Sequence, residues 1–370
     1  MIRHVPRYFE PLVSDCFTNA YGSELTYRGL DPKILLTEYM SFMYNEETKL
    51  LGVNFLFGLN VSIEFSEEEL NASLAFVYFP ETTYYQAPSA VKNEIKHKDK
   101  INIRMYVQED NEIAKLRLKE RLDAGHPTVV IVGVYEISYH RAYQRDHGMH
   151  AVVVTGYDDD RGYYQLFDLY PIASSDFEGE LPMEELERAR CANVPTHVPM
   201  VGMRTRQLKN LWAEIDIDPA FEVSDAIIQS ILSESLARMR GDKQVLGFPC
   251  GLERIEAFMN DLQRMKPEDF TQETVFLFRN YYNLNLKTIS RNRRRFKMFI
   301  EEIHTGLPQE IVAEVAGYLE QSAKHWDIGA NISLKLGLSK KMALVDDLVR
   351  QLEMVKELET KVVERLTASL

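Results

Sequence analysis

A chain of 370 residues, with 45% hydrophobic and 27% charged residues, is long enough and apolar enough to form two globular domains. The formal net charge of -13 argues against general binding of nucleic acids. No run of about 18 apolar residues predicts a membrane-spanning helix, and the first residues lack the apolar core of a signal peptide. Cys16, Cys191 and Cys250 are an odd set without a CxxC pair, so we expect a cytoplasmic protein with neither a disulfide framework nor a zinc site.

The first half of the chain alternates helical and β-rich segments. Residues 31–44 begin with an Asp-Pro pair that is typical of a helix start, and we expect a helix there. Residues 50–57 and 74–79 are apolar and aromatic, which predicts strands. Residues 113–124 carry a helical apolar pattern that stops at Gly125, a common residue after a helix end.

Three further strands are predicted before the middle of the chain. Residues 128–135, 151–157 and 163–170 are rich in β-branched and aromatic side chains. The segment 158–162, with the sequence DDDRG, is typical of a hairpin turn and should join the last two strands as antiparallel neighbours.

The second half of the chain reads as helical. Apolar residues recur there at intervals of three and four, which predicts helices over residues 223–239, 252–265, 271–284, 290–304, 309–326 and 340–366. Pro219 interrupts regular structure between the two halves. We therefore expect two domains, residues 1–217 and 218–370. The apolar stripe of the last helix should pack on its own domain, with a homodimer as the alternative.

Three residues combine into a candidate thiol site. Ser14 or Asp15 can cap a helix that begins at Cys16, and the start of a helix favours a negatively charged sulfur. His150 opens one strand of the predicted hairpin and Asp168 lies on the other, so the carboxylate can orient the imidazole. Such a triad attacks a carbonyl through sulfur and transfers protons through the histidine.

Other interpretations compete with this one. A single cysteine is more often a small buried apolar residue than a nucleophile, so Cys16 alone would not indicate an enzyme. His147 is an alternative base, but positions 147 and 150 face opposite sides of a strand, and His150 lies at the strand start. The acids at 158–160 lack the glycine and bidentate glutamate of a calcium loop, so no metal site is expected.

These residues resemble a known family. The early Cys16, the segments GHPTVVIVGVY (125–135) and GMHAVVVTGYDD (148–159), and the LFD at 166–168 are similar to the N-terminal domain of butirosin biosynthesis protein H. The resemblance extends over about 16–215, and the helical remainder looks like the C-terminal domain of unknown function that often follows. It implies an α+β fold: a papain-like, cysteine peptidase-type N-terminal domain with an antiparallel sheet, followed by an all-α C-terminal domain.

The resemblance also implies acyl transfer in antibiotic or nonribosomal peptide biosynthesis. Cys16 would be the nucleophile, His150 the base and Asp168 the orienting acid. The acyl or aminoacyl group would arrive as a phosphopantetheine thioester on an acyl or peptidyl carrier protein and leave on a small-molecule amine, with no cofactor in this chain. Related peptidases use a glutamine six residues before the cysteine as oxyanion donor, but this chain has Glu10, which cannot donate when ionised. Asn19 is a candidate substitute.

Two further surfaces are predicted to bind the substrate and the carrier protein. Tyr84, in the segment ETTYYQAP, is a candidate for lining a substrate groove, although packing is an equal alternative. A basic stretch that contains Arg291, Arg293, Arg294 and Arg295 could dock an acidic carrier protein, although it could equally be a solvated helix face. The alternatives to acyl transfer are a cysteine hydrolase (a peptidase, an amidase or a thioesterase) and a scaffold protein without activity. The intact triad counts against the scaffold.

Overall fold

The computed structural model describes residues 2, 4–12, 16–37, 39–47, 49, 51–52, 62–64, 101–106, 108–170, 175–198, 202–245, 248–303 and 305–370. The chain forms two compact units. The first unit comprises Met1–Leu36 and Asn60–Phe221, and the second unit comprises Thr37–Leu59 and Glu222–Leu370. The second unit therefore includes a segment from early in the chain. The domain limits expected from the sequence, 1–217 and 218–370, stay a prediction.

The described residues form helices in both units and strands mainly in the first. The helices are α1 (Cys16–Tyr27), α2 (Pro32–Leu35), α3 (Asn111–Asp123), α4 (Met183–Arg190), α5 (Asp225–Arg240), α6 (Leu252–Gln263), α7 (Gln272–Phe276), α8 (Asn283–Glu302), α9 (Gln309–Ser339) and α10 (Ala343–Thr367). The strands are β1 (Met43–Tyr44), β2 (Leu51–Gly52), β3 (Ser62–Glu64), β4 (Ile101–Tyr106), β5 (Thr128–Gly133), β6 (Met149–Asp158), β7 (Tyr163–Tyr170), β8 (Ser175–Pro182), β9 (Asn193–Val198), β10 (Gly202–Gln207), β11 (Trp212–Ile217), β12 (Gln244–Val245) and β13 (Phe248–Pro249).

One mixed sheet organises the first unit. Its described strands follow the order β3-β4-β11-β5-β6-β7-β8. β3 and β4 run parallel, and every other neighbouring pair runs antiparallel. The antiparallel sheet at the N-terminal side and the helices at the C-terminal side confirm the predicted α+β class, while the papain-like assignment stays a prediction.

Helices cover the central strands of this sheet on both faces. β5 is buried at every position. Because successive side chains of a strand point to opposite faces, both faces of the sheet are covered at β5. Val130, Val132 and Val152 share one face and pack with apolar residues of α3 and α4. Helix α1 packs against β5, β6 and β7. The sheet is therefore a rigid platform, and α1 is fixed to it through the strands that carry the candidate site.

The second unit is a helical bundle around an aromatic core. Side chains of α6, α8, α9 and α10 form this core together with Phe42, Tyr44 and Leu51 from the early segment. The rings of Phe42 and Trp326 stack with their centroids 5.3 Å apart. Leu348 and Leu352 of the last helix are buried in the same core, as the predicted packing of the apolar stripe on its own domain requires.

The helix predicted over residues 31–44 is wrong beyond its first turn. The Asp31 side chain accepts a hydrogen bond from the Lys33 N–H at 2.9 Å, so the Asp-Pro start signal does begin a helix. That helix ends at Leu35, and Met43–Tyr44 is a strand. Phe42 and Tyr44 are buried in the aromatic core of the second unit, and this tertiary packing overrides the local helical pattern.

The other predicted elements divide into confirmed and missed ones. The helix at 113–124, the strands at 128–135, 151–157 and 163–170, and the hairpin are confirmed as α3, β5, β6 and β7. The segments 271–284 and 290–304 belong to one nearly continuous helical stretch, since a π-helical turn at Leu277–Tyr282 links α7 to α8. β3, β4, β8 to β13 and α4 were not predicted from the sequence. The predicted strand at 74–79 lies outside the described residues, as does most of the strand at 50–57.

Candidate active site

Cys16 is the first residue of α1, where the helix N-terminus favours negative charge. It is 9% exposed, and residues 13–15, which include both predicted caps, lie outside the described residues. The predicted placement of Cys16 in the first turn of a helix is confirmed. The N–H groups of the first turn, including that of Cys16, have no partner within α1.

The sulfur lies where two strands separate. Pairing between β6 and β7 ends at Val153 and Phe167, so the residues before Val153 have no ladder partner on that side. The N–H of Ile131 donates to the Leu211 carbonyl, away from β6, so the Ala151 N–H points to the opened side. That N–H donates to Cys16 Sγ at 3.3 Å. The gap in the sheet thus receives the thiol and supplies it with a backbone donor.

His150 and Asp168 form a buried pair beside the sulfur. Both lie on neighbouring strands and on the face shared with Val152, and His150 Nε2 is 2.8 Å from Asp168 Oδ1. Their exposed fractions are 4% and 2%. The other carboxylate oxygen, Oδ2, accepts from the Tyr139 hydroxyl at 3.3 Å and from the Ser175 hydroxyl. Three donors therefore fix the orientation of Asp168, and Asp168 fixes the orientation of the imidazole.

The charges around His150 favour its protonated form. Burial alone lowers the pKa of His150, but Cys16 and Asp168 together outweigh burial and raise that pKa from 6.5 to about 10. Because Nε2 of His150 is hydrogen-bonded to Asp168, Nδ1 is the ring nitrogen left to interact with Cys16. The structure therefore brings the three predicted residues together, with one ring nitrogen for the thiol and the other for the acid.

A second histidine lies beside this pair. The rings of His140 and His150 are 5.5 Å apart, and His140 is buried. Its Nδ1 accepts a hydrogen bond from the Ala142 N–H at 3.1 Å. Burial, followed by the neighbouring positive charge of His150, lowers the pKa of His140 below 6.5. His140 is therefore a neutral imidazole at neutral pH.

Tyr139 and His140 lie beside the triad and were not predicted from the sequence as site residues. Tyr139 and His140 are consecutive, so one loop places a hydroxyl on Asp168 and an imidazole beside His150. The signal available in the sequence was their position between β5 and β6, directly before the strand that carries the base. His147, the alternative base, is exposed and stacks on Tyr135 with ring centroids 4.4 Å apart.

The predicted oxyanion residues lie together, and they are hydrogen-bonded to their surroundings. Asn19 Oδ1 accepts from the Glu10 N–H at 3.3 Å, and Asn19 Nδ2 donates to the Leu169 carbonyl at 2.9 Å. The Glu10 carboxylate accepts from the Tyr8 hydroxyl at 3.0 Å. Asn19 thus links the segment before α1 to the end of β7. An oxyanion role for Asn19 or Glu10 stays a prediction, and Tyr84 lies outside the described residues.

The predicted docking surface needs correction. Arg293 and Arg295 are buried, with exposed fractions of 0% and 7%, so neither can meet a carrier protein. Arg293 forms an ion pair with Glu359, with Nε 2.7 Å from Oε1. Arg294 is half-buried and pairs with Asp327 at 2.9 Å. The prediction is therefore wrong for Arg293 and Arg295, since an amphipathic helix buries one side of a basic run, and it stays a prediction for Arg291 and Arg294.

Metal-binding clusters and membrane-spanning helices are both absent from the described residues. Across the described ranges, no group of three His, Cys, Asp or Glu side chains is arranged to bind a metal ion. Within the same ranges, every helix is too short or too polar to cross a bilayer. The cytoplasmic location, the carrier-protein partner and the homodimer stay predictions.

Part of the chain matches a known protein family. Residues 16–169 match the family model described as "Butirosin biosynthesis protein H, N-terminal". This match confirms the resemblance drawn from the segments around Cys16, His150 and Asp168, and all three residues lie within the matched range. The search of curated proteins found no match.

Proposed function

We propose that this protein, whose residues 16–169 match the N-terminal domain of butirosin biosynthesis protein H, is a cysteine-dependent acyltransferase of specialised biosynthesis. One observation carries the proposal. His150 is shared between the thiol of Cys16 and the carboxylate of Asp168, and this arrangement is buried at a helix N-terminus. A cysteine that only filled space in the core would need neither an aligned imidazole nor a backbone donor to its sulfur.

The first half of the proposed reaction forms an acyl-enzyme. Cys16 Sγ attacks the carbonyl carbon of a thioester and forms a new carbon–sulfur bond. The carbon–sulfur bond to the donor breaks, and His150 gives its proton to the departing thiolate. Asp168 keeps the imidazole aligned through Nε2 while Nδ1 exchanges the proton.

The second half transfers the acyl group to an amine. The amine nitrogen attacks the carbonyl of the Cys16 thioester, and the now neutral His150 takes a proton from that nitrogen. The carbon–sulfur bond breaks, the amide leaves, and the thiolate and imidazolium are restored. The donor in this proposal is a phosphopantetheine thioester on an acyl or peptidyl carrier protein, and the acceptor is a small-molecule amine.

Hydrolysis is the second candidate function, because the same triad serves water as readily as an amine. The Glu10 carboxylate favours transfer over a conventional peptidase, since an ionised carboxylate cannot act as the amide donor of that class. Exclusion of water from a buried site acts in the same direction, because an amine acceptor then competes better with solvent.

Intact-mass spectrometry of the full chain tests the proposal. Incubation with acetyl-N-acetylcysteamine, a small thioester, should add one acetyl group to the wild type and none to Cys16→Ala. Hydroxylamine, a small amine nucleophile, should then discharge the adduct faster than buffer does. Cys191→Ala, which changes a half-buried thiol elsewhere in the first unit, is the matched control and should behave as the wild type.

The outcomes separate the functions. A persistent adduct that an amine discharges supports transfer, whereas loss in buffer at the same rate supports hydrolysis. Equal labelling of the wild type and Cys16→Ala, or labelling of neither, would reject both enzymatic functions.

A further inference from the structure

We propose that His140 is a further catalytic residue, which donates a hydrogen bond from Nε2 to the carbonyl oxygen of the acyl group as negative charge develops there. This inference rests on the proposed function, because it names the group that stabilises the oxyanion of the same reaction. Such a donor is worth about 10²–10³ in rate when it is held in place before the reaction.

The position of His140 is fixed by its loop. Its backbone N–H donates to the Ile137 carbonyl at 3.0 Å, and its carbonyl accepts from the Tyr143 N–H at 2.9 Å. The ring is buried, 5.5 Å from the ring of His150. A donor that must not reorganise during the reaction needs this kind of support.

The hydrogen bonds of His140 also fix where its proton lies. The Ala142 N–H donates to Nδ1 at 3.1 Å, so Nδ1 keeps its lone pair and the proton of a neutral ring resides on Nε2. Among the described residues, Nε2 itself has no hydrogen-bond partner. This N–H can therefore donate to a substrate oxygen without breaking a hydrogen bond within the described residues.

A neutral His140 ring suits the role of oxyanion donor. The positive charge on His150 and the buried surroundings of His140 lower the pKa of His140, so the ring stays a neutral donor while its neighbour carries the proton. A second cation at this distance would repel the imidazolium that the thiolate requires.

The other candidate donors are limited. The backbone N–H of Cys16, in the first turn of α1, supplies one donor to the oxyanion. The Asn19 amide is already bonded to Glu10 and Leu169, and the Glu10 carboxylate accepts a hydrogen bond from the Tyr8 hydroxyl at 3.0 Å. Among the described residues, His140 is thus a side chain near His150 with a proton on Nε2 that no other described group accepts.

Two reactions at the same sulfur test the inference. Acylation by acetyl-N-acetylcysteamine develops an oxyanion, whereas alkylation by iodoacetamide displaces iodide and develops none. In the full chain, His140→Ala should slow acylation by about 10²–10³-fold and change alkylation by less than about threefold. His140→Gln, which restores an N–H donor, should recover at least about tenfold of the lost acylation rate. His147→Ala, an exposed histidine nearby, is the matched control and should leave both rates unchanged.

Each result decides the question. Equal slowing of both reactions by His140→Ala would overturn the inference, because it would mean that His140 acts on the sulfur or on the fold. Unchanged acylation would also overturn it. In both of these cases acylation of the wild type would leave the acyltransferase proposal standing. A wild type that alkylates but never acylates would instead reject the proposed function, and the inference with it.

Discussion

His150–Asp168 in the first unit and Arg293–Glu359 in the second unit are both buried pairs of a base and an acid, and they differ in what surrounds them. In the first unit, His150 and Asp168 are nearly inaccessible to solvent, and the second nitrogen of His150 faces the sulfur of Cys16. In the second unit, Arg293 and Glu359 are completely buried. Only the first pair includes a group that can exchange its proton at neutral pH and a nucleophile to exchange it with.

The pair in the second unit is fully hydrogen-bonded. Glu359 Oε1 accepts from Arg293 Nε at 2.7 Å, from the Ser322 hydroxyl at 2.7 Å and from the Trp326 indole at 2.8 Å, while Oε2 accepts from Arg293 Nη2 at 2.9 Å. Arg293 Nη1 donates to the Ser41 carbonyl at 2.8 Å. This network joins three helices to the early segment of the same unit, and both carboxylate oxygens of Glu359 accept hydrogen bonds within it.

The comparison shows that burial of charge does not by itself indicate a catalytic site. A guanidinium does not give up its proton in a protein, so a satisfied Arg–Glu pair can only specify packing. An imidazole between a thiol and a carboxylate has two accessible protonation states, and its neighbours decide which one is favoured.

The largest effect is expected at Asp168. Asp168→Asn removes the charge that orients His150, and acylation of Cys16 should fall by about 10³–10⁴-fold. Because Asp168 helps to raise the pKa of His150 to about 10, the substitution should lower that pKa, so that the imidazole loses its proton at a lower pH than in the wild type. Nitrogen-15 NMR titration of labelled histidine measures the pKa. Glu180→Gln, on the outside of β8, should change neither quantity, and an unchanged titration in Asp168→Asn would contradict the assignment.

The next effect concerns two adjacent arginines of α8. Arg293→Ala leaves the Glu359 carboxylate buried without its cation, and unfolding of the full chain in urea should show a loss of about 3–5 kcal/mol for the second unit. Arg294→Ala breaks a half-exposed pair with Asp327 and should cost about 1 kcal/mol or less. Neither substitution should change the acylation rate of the folded protein. Similar losses for both variants would refute the contrast between the buried and the exposed pair.

A third test uses Glu24, a buried acid of the first unit that has fewer hydrogen-bond partners than Asp168 or Glu359. Burial raises the pKa of Glu24 from 4.5 to about 7 although Arg28 lies 2.6 Å away, and its second oxygen has no partner among the described residues. The folded state therefore binds an extra proton between these pH values, and its stability falls as the pH rises through them. Glu24→Gln should gain about 3 kcal/mol relative to the wild type between pH 4 and pH 8. Denaturant unfolding at both pH values measures the gain, and a constant difference between the two proteins would contradict the assignment.

The smallest effect is expected at Tyr139. Tyr139→Phe removes one of the two hydroxyl donors to Asp168 Oδ2 and keeps the stacked ring on Phe177, so acylation should fall by about threefold to tenfold. Thermal unfolding should stay close to that of the wild type. A loss as large as that of Asp168→Asn would show that the hydroxyl, and not the carboxylate charge alone, determines the orientation of His150.

The amino-acid sequence by itself determined the local features of this protein. The β-branched runs predicted β5, β6 and β7, the DDDRG segment predicted the hairpin, and together they placed His150 and Asp168 on neighbouring strands. These features depend on side chains that are close in sequence, so pattern and turn chemistry suffice to find them. The helix start at Cys16 is of the same kind.

Only the tertiary structure decided which residues are buried and which of them meet. Phe42 and Tyr44 join the core of the second unit, whereas the local pattern alone would continue the helix through them. Arg293 is buried against Glu359, 66 positions away, whereas a solvated helix face was an equal interpretation of its sequence. Tyr139 and His140 reach the triad through a loop whose path no periodicity encodes. Contacts between distant segments depend on how whole elements pack, and a single sequence records each side chain but not its partner.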